Sequence, residues 1–440
     1  MLVTTIGITA VAVLGLLGWR LVKGDSDTAA GAGGQWNQIA LVNRTTGAFT
    51  TVDDSGNVVA EFAGSGRATD VYSFGTRVAL VGADQIALTD TAAPSVAPII
   101  VPIERGSTVT PIPTEGSLHL LVGKPTGGNI VIVDVGAGSA IDVGEAAGQT
   151  DPLMFADTVR WAADGSAFAI ADAANFQTII VEPGIDGAHF LPDQPVAVGD
   201  DLVATSQTVG SQADIALVDL DRHNQANVPA EIPAGGVMTG DRLVFVSLAG
   251  GVFGVEPGDE QTQDVGTIAV PNGARVQWVR PALDGQRLVI GGNGFETLVD
   301  LEGGTMFTAA FTTPVDVARP NPAWSCLPVG GGDSYQSLIS MATGKQLADL
   351  TGLAVNGTST DGCTVIGERA GITEIVTEGG SVRLGRIRTA SLAPDGRAVV
   401  VTGTTGRTEL VTLDDDLEVS EPIDLSAAAA ANLAVVFLGS

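Results

Sequence analysis

One phrase recurs along this 440-residue chain, and it limits the possible folds more than any other feature. A turn, often Asp-Gly, opens a short apolar strand; a second strand follows and closes on an acid or amide. RWAADGSAFAIADAANFQTIIVEPG (160–184) is one copy. The closing strands read NQIALVN to Asn43, QIALTD to Asp90, NIVIVD to Asp134, QTIIVE to Glu182, DIALVD to Asp219, GVFGVE to Glu256 and FETLVD to Asp300. YQSLIS (335–340), GITEIVTE (371–378) and RTELVTLD (407–414) are weaker copies. The acids at 90, 134, 182, 219, 256 and 300 are 44, 48, 37, 37 and 44 residues apart.

The opening strands recur as well: RVALVG, LHLLVG, SAFAIA, DLVATS, RLVFVS and RLVIGG, then SCLPVG, GCTVIG and RAVVVT. Asp164-Gly165, Asp284-Gly285, Asp361-Gly362 and Asp395-Gly396 introduce four of them. Asp-Gly supplies the positive φ of a tight turn at little steric cost. APIIVPI (97–103) and QTQDVGTIAV (261–270) read as outer strands, and ARVQWV (274–279) as an inner strand approaching the next turn. Four short strands every 40 residues or so make the blades of a β-propeller, and no stretch between 36 and 425 holds a helical apolar period. A β-solenoid would need shorter rungs, and a sandwich does not need ten similar phrases. Nine internal pairs and one split pair predict ten blades, with seven or eight if some pairs are insertions. ANLAVVFLGS (431–440) reads as the first strand of a pair and NQIALVN as the second, so the ends should close the ring and remove two open edges. SAAAAA (426–431) is expected as an inner strand.

Composition agrees with a turn-rich β protein: Gly is 58 of 440, apolar residues are 45% and charged residues only 16%, too few for charge-driven disorder. Fifty acids against 21 bases give a net charge of −29, which repels nucleic-acid phosphates and anionic headgroups and leaves no nucleic-acid partner expected.

Residues 2–19 carry no charge, the lower length for a membrane span. The expected layout is an N-terminal membrane anchor at 1–23, a flexible linker at 24–35 and a propeller at 36–440. A cleaved secretory signal is the alternative, disfavoured by the missing basic region before the apolar run. Arg20 and Lys23 follow the span and by charge bias vote for a cytoplasmic body. The linker DSDTAAGAGGQ instead suits a domain held off the external, periplasmic side, which is the reading preferred.

Few residues suggest chemistry. Cys326 and Cys363, the only cysteines, stand 37 residues apart at matching places in SCLPVG and GCTVIG. On adjacent blades such positions face each other, so a disulfide is one reading and two buried free thiols another. His119, His189 and His223 are too scattered for a metal motif, and no Ser sits in a nucleophile elbow. GKPTGG (123–128) misses the spacing of a phosphate loop and reads as a hairpin turn, and DDSGN (53–57) reads as a turn more readily than a calcium loop. The closing acids should line one rim and cap turns through backbone N–H groups. Trp161, Trp278 and Trp324 are expected to wedge between blades, while Trp19 and Trp36 flank the anchor and linker. No catalytic residue, cofactor or metal site is expected, and no ligand-binding residue can be named.

In its apolar N-terminus followed by an Asp-Gly-punctuated propeller, the chain resembles the membrane-anchored envelope propellers of mycolate-making actinobacteria, the polar growth factor A type. The resemblance is architectural, and no ligand residue of that family maps onto this sequence. It implies a non-catalytic accessory protein with a glycolipid ligand such as trehalose monomycolate and a membrane transporter as partner. The other readings are an accessory subunit of a membrane complex, and a propeller hydrolase or lyase.

Overall fold

The computed structural model describes residues 36–439 apart from 115, 125–126, 149–158, 173–174, 186, 221–222, 272, 283–285, 302–303, 312–323, 332–334, 415–416, 427 and 430–431. The expected anchor and linker lie outside the described residues. Ten antiparallel sheets follow one another around a ring. Blade 1 is composite: Leu433–Gly439 is its innermost strand, followed outward by Trp36–Asn43, Phe49–Asp53 and Val58–Phe62. Blades 2 to 10 run in chain order, each from an inner first strand to an outer fourth: blade 2 begins at Asp70–Phe74, blade 5 at Gln194–Val198, blade 7 at Trp278–Ala282 and blade 10 at Ile387–Leu392. The described part of blade 8 holds three strands, Cys326–Val329, Ser337–Ser340 and Gln346–Asp349. First strands of neighbouring blades lie beside one another, as Gln194–Val198 does with Pro233–Thr239.

The repeated phrase is therefore the second and third strands of a blade. Both faces of these strands are covered by neighbouring sheets, so they read as continuous apolar runs. In Trp36–Asn43, Ile39 and Leu41 pack toward blade 10 while Ala40 and Val42 pack toward blade 2. Ten apolar clusters result, one for each junction of adjacent blades, and the cluster of Leu41, Val400, Leu410 and Phe437 joins the last blade to the first. Closure by the terminal strands is explicit in the register Ile39↔Phe437, Ala40↔Val436 and Leu41↔Val435.

Three expectations shift by a strand or less. NQIALVN is the second strand of blade 1, one place further in than its phrase suggested, so the residue matching the closing acids is Asp53 and not Asn43. SAAAAA forms no strand among its described residues. Ala428 and Ala429 both donate to the Leu425 carbonyl in a turn, and the apolar Leu433–Gly439 takes the inner place. The inner strand of blade 7 is Trp278–Ala282 and begins where ARVQWV nearly ends. The one described helix is a single turn, Val143–Ala146, capped by the Asp142 carboxylate.

The Asp-Gly turns are built alike. The carboxylates of Asp164, Asp361 and Asp395 each accept from the backbone N–H two residues on, at 2.8, 3.0 and 2.9 Å. The following glycines have φ of +81°, +72° and +71°. They also press on the preceding blade: a Cβ at Gly396 would stand 2.3 Å from Thr364 Oγ1, and one at Gly362 would stand 2.4 Å from the Cys326 carbonyl oxygen. Only glycine meets both demands.

Candidate functional site

Strand direction sorts the turns onto two faces. One carries the turns after first and third strands; the other carries the turns after second strands and the links between blades. Trp36 enters on the first face, beside Gly439.

The closing acids line that face, and from blade 2 to blade 7 each meets a basic side chain, Arg or His. Asp90 lies 3.9 Å from Arg77, Asp134 3.6 Å from His119, Glu182 3.3 Å from His189 and Asp219 3.2 Å from His223. Glu256 lies 3.7 Å from Arg242, and Asp300 3.7 Å from Arg287. Several also cap turns as expected: Asp90 accepts from Ala92 N, Asp134 from Ala137 N and Asp219 from His223 N. The His223 amide is the main cause that holds the Asp219 carboxyl below its ordinary range. The three histidines therefore belong to separate blades and each serves its own acid. His119 is buried against Phe168 of blade 4, and burial pushes its pKa down against the pull of Asp134. Asp53 on blade 1 accepts from Ser55, Gly56 and Asn57 in an ordinary turn, and the Asn57 side chain leads in lowering its pKa.

Large apolar side chains gather on the same face. Of nine that are exposed among the described residues, Val58, Val59, Val96, Ile99, Ile100 and Val419 lie on the third-to-fourth strand side of blades 1, 2 and 10, and Ile185 on that side of blade 4. Phe176 and Val209 occupy the opposite face.

Cys326 and Cys363 are bonded across the junction of blades 8 and 9, with Cα atoms 4.9 Å apart. Trp278 and Trp324 wedge into the blade 7–8 junction and Trp161 into the blade 3–4 junction. A cleft of about 230 Å³ between blades 8 and 9 is lined by Leu347, Asp349, Arg369, Val376 and Ser381. It is smaller than the roughly 300 Å³ at which drug-sized ligands are usually enclosed. Among the described residues no three His, Cys, Asp or Glu side chains converge as a metal site.

Two polar features escaped the sequence reading. Arg280, on the inner strand of blade 7, lies 4.6 Å over the Trp161 ring on the inner strand of blade 4, so one contact spans the axial space past two intervening blades. The matching heptapeptides VRWAADG (159–165) and VRPALDG (279–285) were the available signal. Glu296 is fully buried at the blade 7–8 junction, where Gly330 N–H donates to Oε2 at 3.1 Å and Oε1 meets no donor among the described residues. Burial pushes its pKa up to about 8, and burial with the nearby Glu296 pushes Tyr335 up to about 12. In the sequence Glu296, a carboxyl that burial keeps protonated, passes as one more residue of FETLVD.

No protein-family model and no curated protein matches the chain. Among solved structures, a eukaryotic initiation factor covers 92% of this chain and 98% of its own, at 11% identity and a TM-score of 0.46. A computationally designed protein, Ika8, is 13% identical over 70% of this chain and 97% of its own, with a TM-score of 0.42. The dihydro-heme d1 dehydrogenase NirN is 12% identical over 88% of this chain and 73% of its own, with a TM-score of 0.35. At these values the likenesses carry no argument about function. The ring with its polar rim and apolar sector is a fold suited to binding and scaffolding.

Proposed function

We propose that this chain is a non-catalytic scaffold, tethered to the external side of a membrane by residues 1–23 through the linker 24–35. It holds an amphipathic envelope lipid of the trehalose monomycolate class beside a membrane transporter. The observation that carries the scaffold reading is the layout of one face: the chain enters at Trp36 on the side that bears the apolar sector of blades 10, 1 and 2. An apolar span before a 12-residue linker keeps that face near the membrane, since such a linker has an r.m.s. reach of about 20 Å. The lipid and the transporter come from the resemblance of the whole chain to envelope propellers. A hydrolase or lyase would draw acids and histidines to one centre, whereas His119, His189 and His223 are engaged singly on blades 3, 4 and 5.

The test is extraction of the full chain in mild detergent, followed by lipid mass spectrometry and partner identification, with residues 1–35 alone as control. Retained glycolipid above control and a stoichiometric transporter are expected. Absence of both overturns the reading. A stoichiometric membrane complex without lipid favours the second reading, an assembly subunit, which the apolar sector also suits.

A further inference from the structure

We propose that the apolar sector over blades 10, 1 and 2 is a docking surface for a protein that presents an apolar centre ringed by basic side chains. The sector joins three blades. Gly56, in the outer turn of blade 1, packs on blade 10, since a Cβ there would stand 2.8 Å from Ile423 Cγ2. On blade 2, Ile99 reaches toward blade 3, where its Cδ1 would lie 3.3 Å from a Cβ on Gly138. Strand alternation then turns Ile100 back toward blade 1. Val58 and Val59, successive residues on an edge strand where the register with its neighbour shifts, are both about half exposed, and Ile99 and Ile100 are exposed to the same degree.

Such clustering is unlike the rest of this protein. Among the described residues outside blades 10, 1 and 2, three large apolar side chains are exposed, on blades 4 and 5 and on both faces. An apolar patch confined to one sector marks an interaction site.

Charge selects the occupant. Asp53, Asp54, Asp90, Asp414 and Glu418 stand around the sector on this face, against Arg77 and Arg397, and Arg77 is engaged with Asp90 and the Gly136 carbonyl. An acidic border repels anionic headgroups and a second copy of itself, and it attracts a basic one. The outer strands of blades 1 and 2 also end their sheets, so their edge N–H and C=O groups add main-chain donors and acceptors to the sector. The surface thus fits a protein whose apolar contact is bordered by Lys or Arg. This inference rests on the tether only for where the partner is met; the recognition chemistry stands without it.

The experiment uses the full chain extracted with its stoichiometric partner. V59K/I100K places positive charge in the sector, and F176K/V209K makes the same change on the opposite face. All four positions are exposed, and an unchanged melting temperature confirms intact folding. The proposal expects at least tenfold weaker partner retention for V59K/I100K, wild-type retention for F176K/V209K, and weakening of the wild-type complex as salt rises. Equal loss from both faces, or retention by V59K/I100K, overturns it. A photo-crosslinking residue at position 59 separates the occupants. Crosslinks to lipid alone in vesicles of neutral phospholipid, with no protein partner competing them away, assign the sector to a lipid surface and overturn the protein-docking claim. If the chain leaves the membrane fraction on carbonate washing yet V59K/I100K still releases the partner, the tether fails and the docking surface stands.

Discussion

On one side of blade 8 the chain places a covalent bond, Cys326–Cys363, across the junction with blade 9. On the other side it buries Glu296 in the junction with blade 7. The first junction is fixed whatever its packing does. The second holds a carboxyl with one hydrogen bond inside a cluster of Trp278, Leu298, Leu327 and Ile339. Two neighbouring junctions of one repeat therefore contribute to stability in opposite directions. A closed ring tolerates this because no blade can leave through its weak side while the other nine junctions hold.

The largest test of that comparison removes closure. Deleting 433–440 strips Val435, Val436, Phe437 and Leu438 from the ring, each buried side chain contributing about 1.5–3 kcal/mol, which together rivals a whole domain's stability. The ring should lose its single cooperative melting transition, with the blade 7–8 junction exchanging amide hydrogens first and the bonded blades 8 and 9 last. An unchanged melting temperature would show that the ring does not depend on its closing strand.

Next is Glu296→Gln, which keeps the acceptor for Gly330 N–H and removes the ionisable group. Below its ordinary value of 4.5 the carboxyl is protonated folded and unfolded alike, so its charge costs nothing. Between that value and about 8 the unfolded chain has released the proton while the folded chain retains it, so wild-type stability falls as pH rises. The fall levels off above about 8. E296Q should lack it and gain on the order of 3–5 kcal/mol over wild type at pH 8, with little difference at pH 4. Denaturant unfolding at the two pH values measures the gain; equal curves would show that the buried carboxyl carries no such penalty.

Replacing both cysteines by serine should cost about 2–4 kcal/mol, the usual effect of freeing a loop of this length. Intact mass with and without reduction checks the bond itself. The triple variant E296Q/C326S/C363S should be close to wild type in stability at pH 8, which directly sets the two sides of blade 8 against each other. Gly396→Ala, at the blade 9–10 junction, meets a positive φ and the Thr364 hydroxyl, and should cost about 1–3 kcal/mol by thermal melting. Arg287→Ala removes only a rim ion pair with Asp300 and should cost at most about 1 kcal/mol.

The sequence made the covalent side of blade 8 visible and hid the other. Two cysteines one repeat apart at matching phrase positions become neighbours wherever the repeat stacks, so their adjacency follows from the period, while the bond itself is read from the structure. The blade count follows likewise from apolar runs that must be covered on both faces. Glu296 stayed hidden because burial of a lone charge depends on three segments meeting: FETLVD, Gly330 and Tyr335. The misplaced end strands have a related cause. Second and third strands of a blade are equally buried and equally apolar, so NQIALVN matches either, and only its register with Val435–Phe437 decides. The apolar sector on blades 10, 1 and 2 was illegible because Val58 and Val419 look like core residues, and because the outer strand APIIVPI does not by itself show that Ile99 and Ile100 stay uncovered beside them.

The central claim is that the ring hangs from one face. Spin labels at position 59 or position 176, attached by a chemistry that spares the disulfide, can be compared in the full chain reconstituted into lipid nanodiscs carrying a relaxation agent on the headgroups. The account expects strong relaxation of the label at 59 and weak relaxation at 176, on the opposite face. Stronger relaxation at 176, or none at either position, would contradict it.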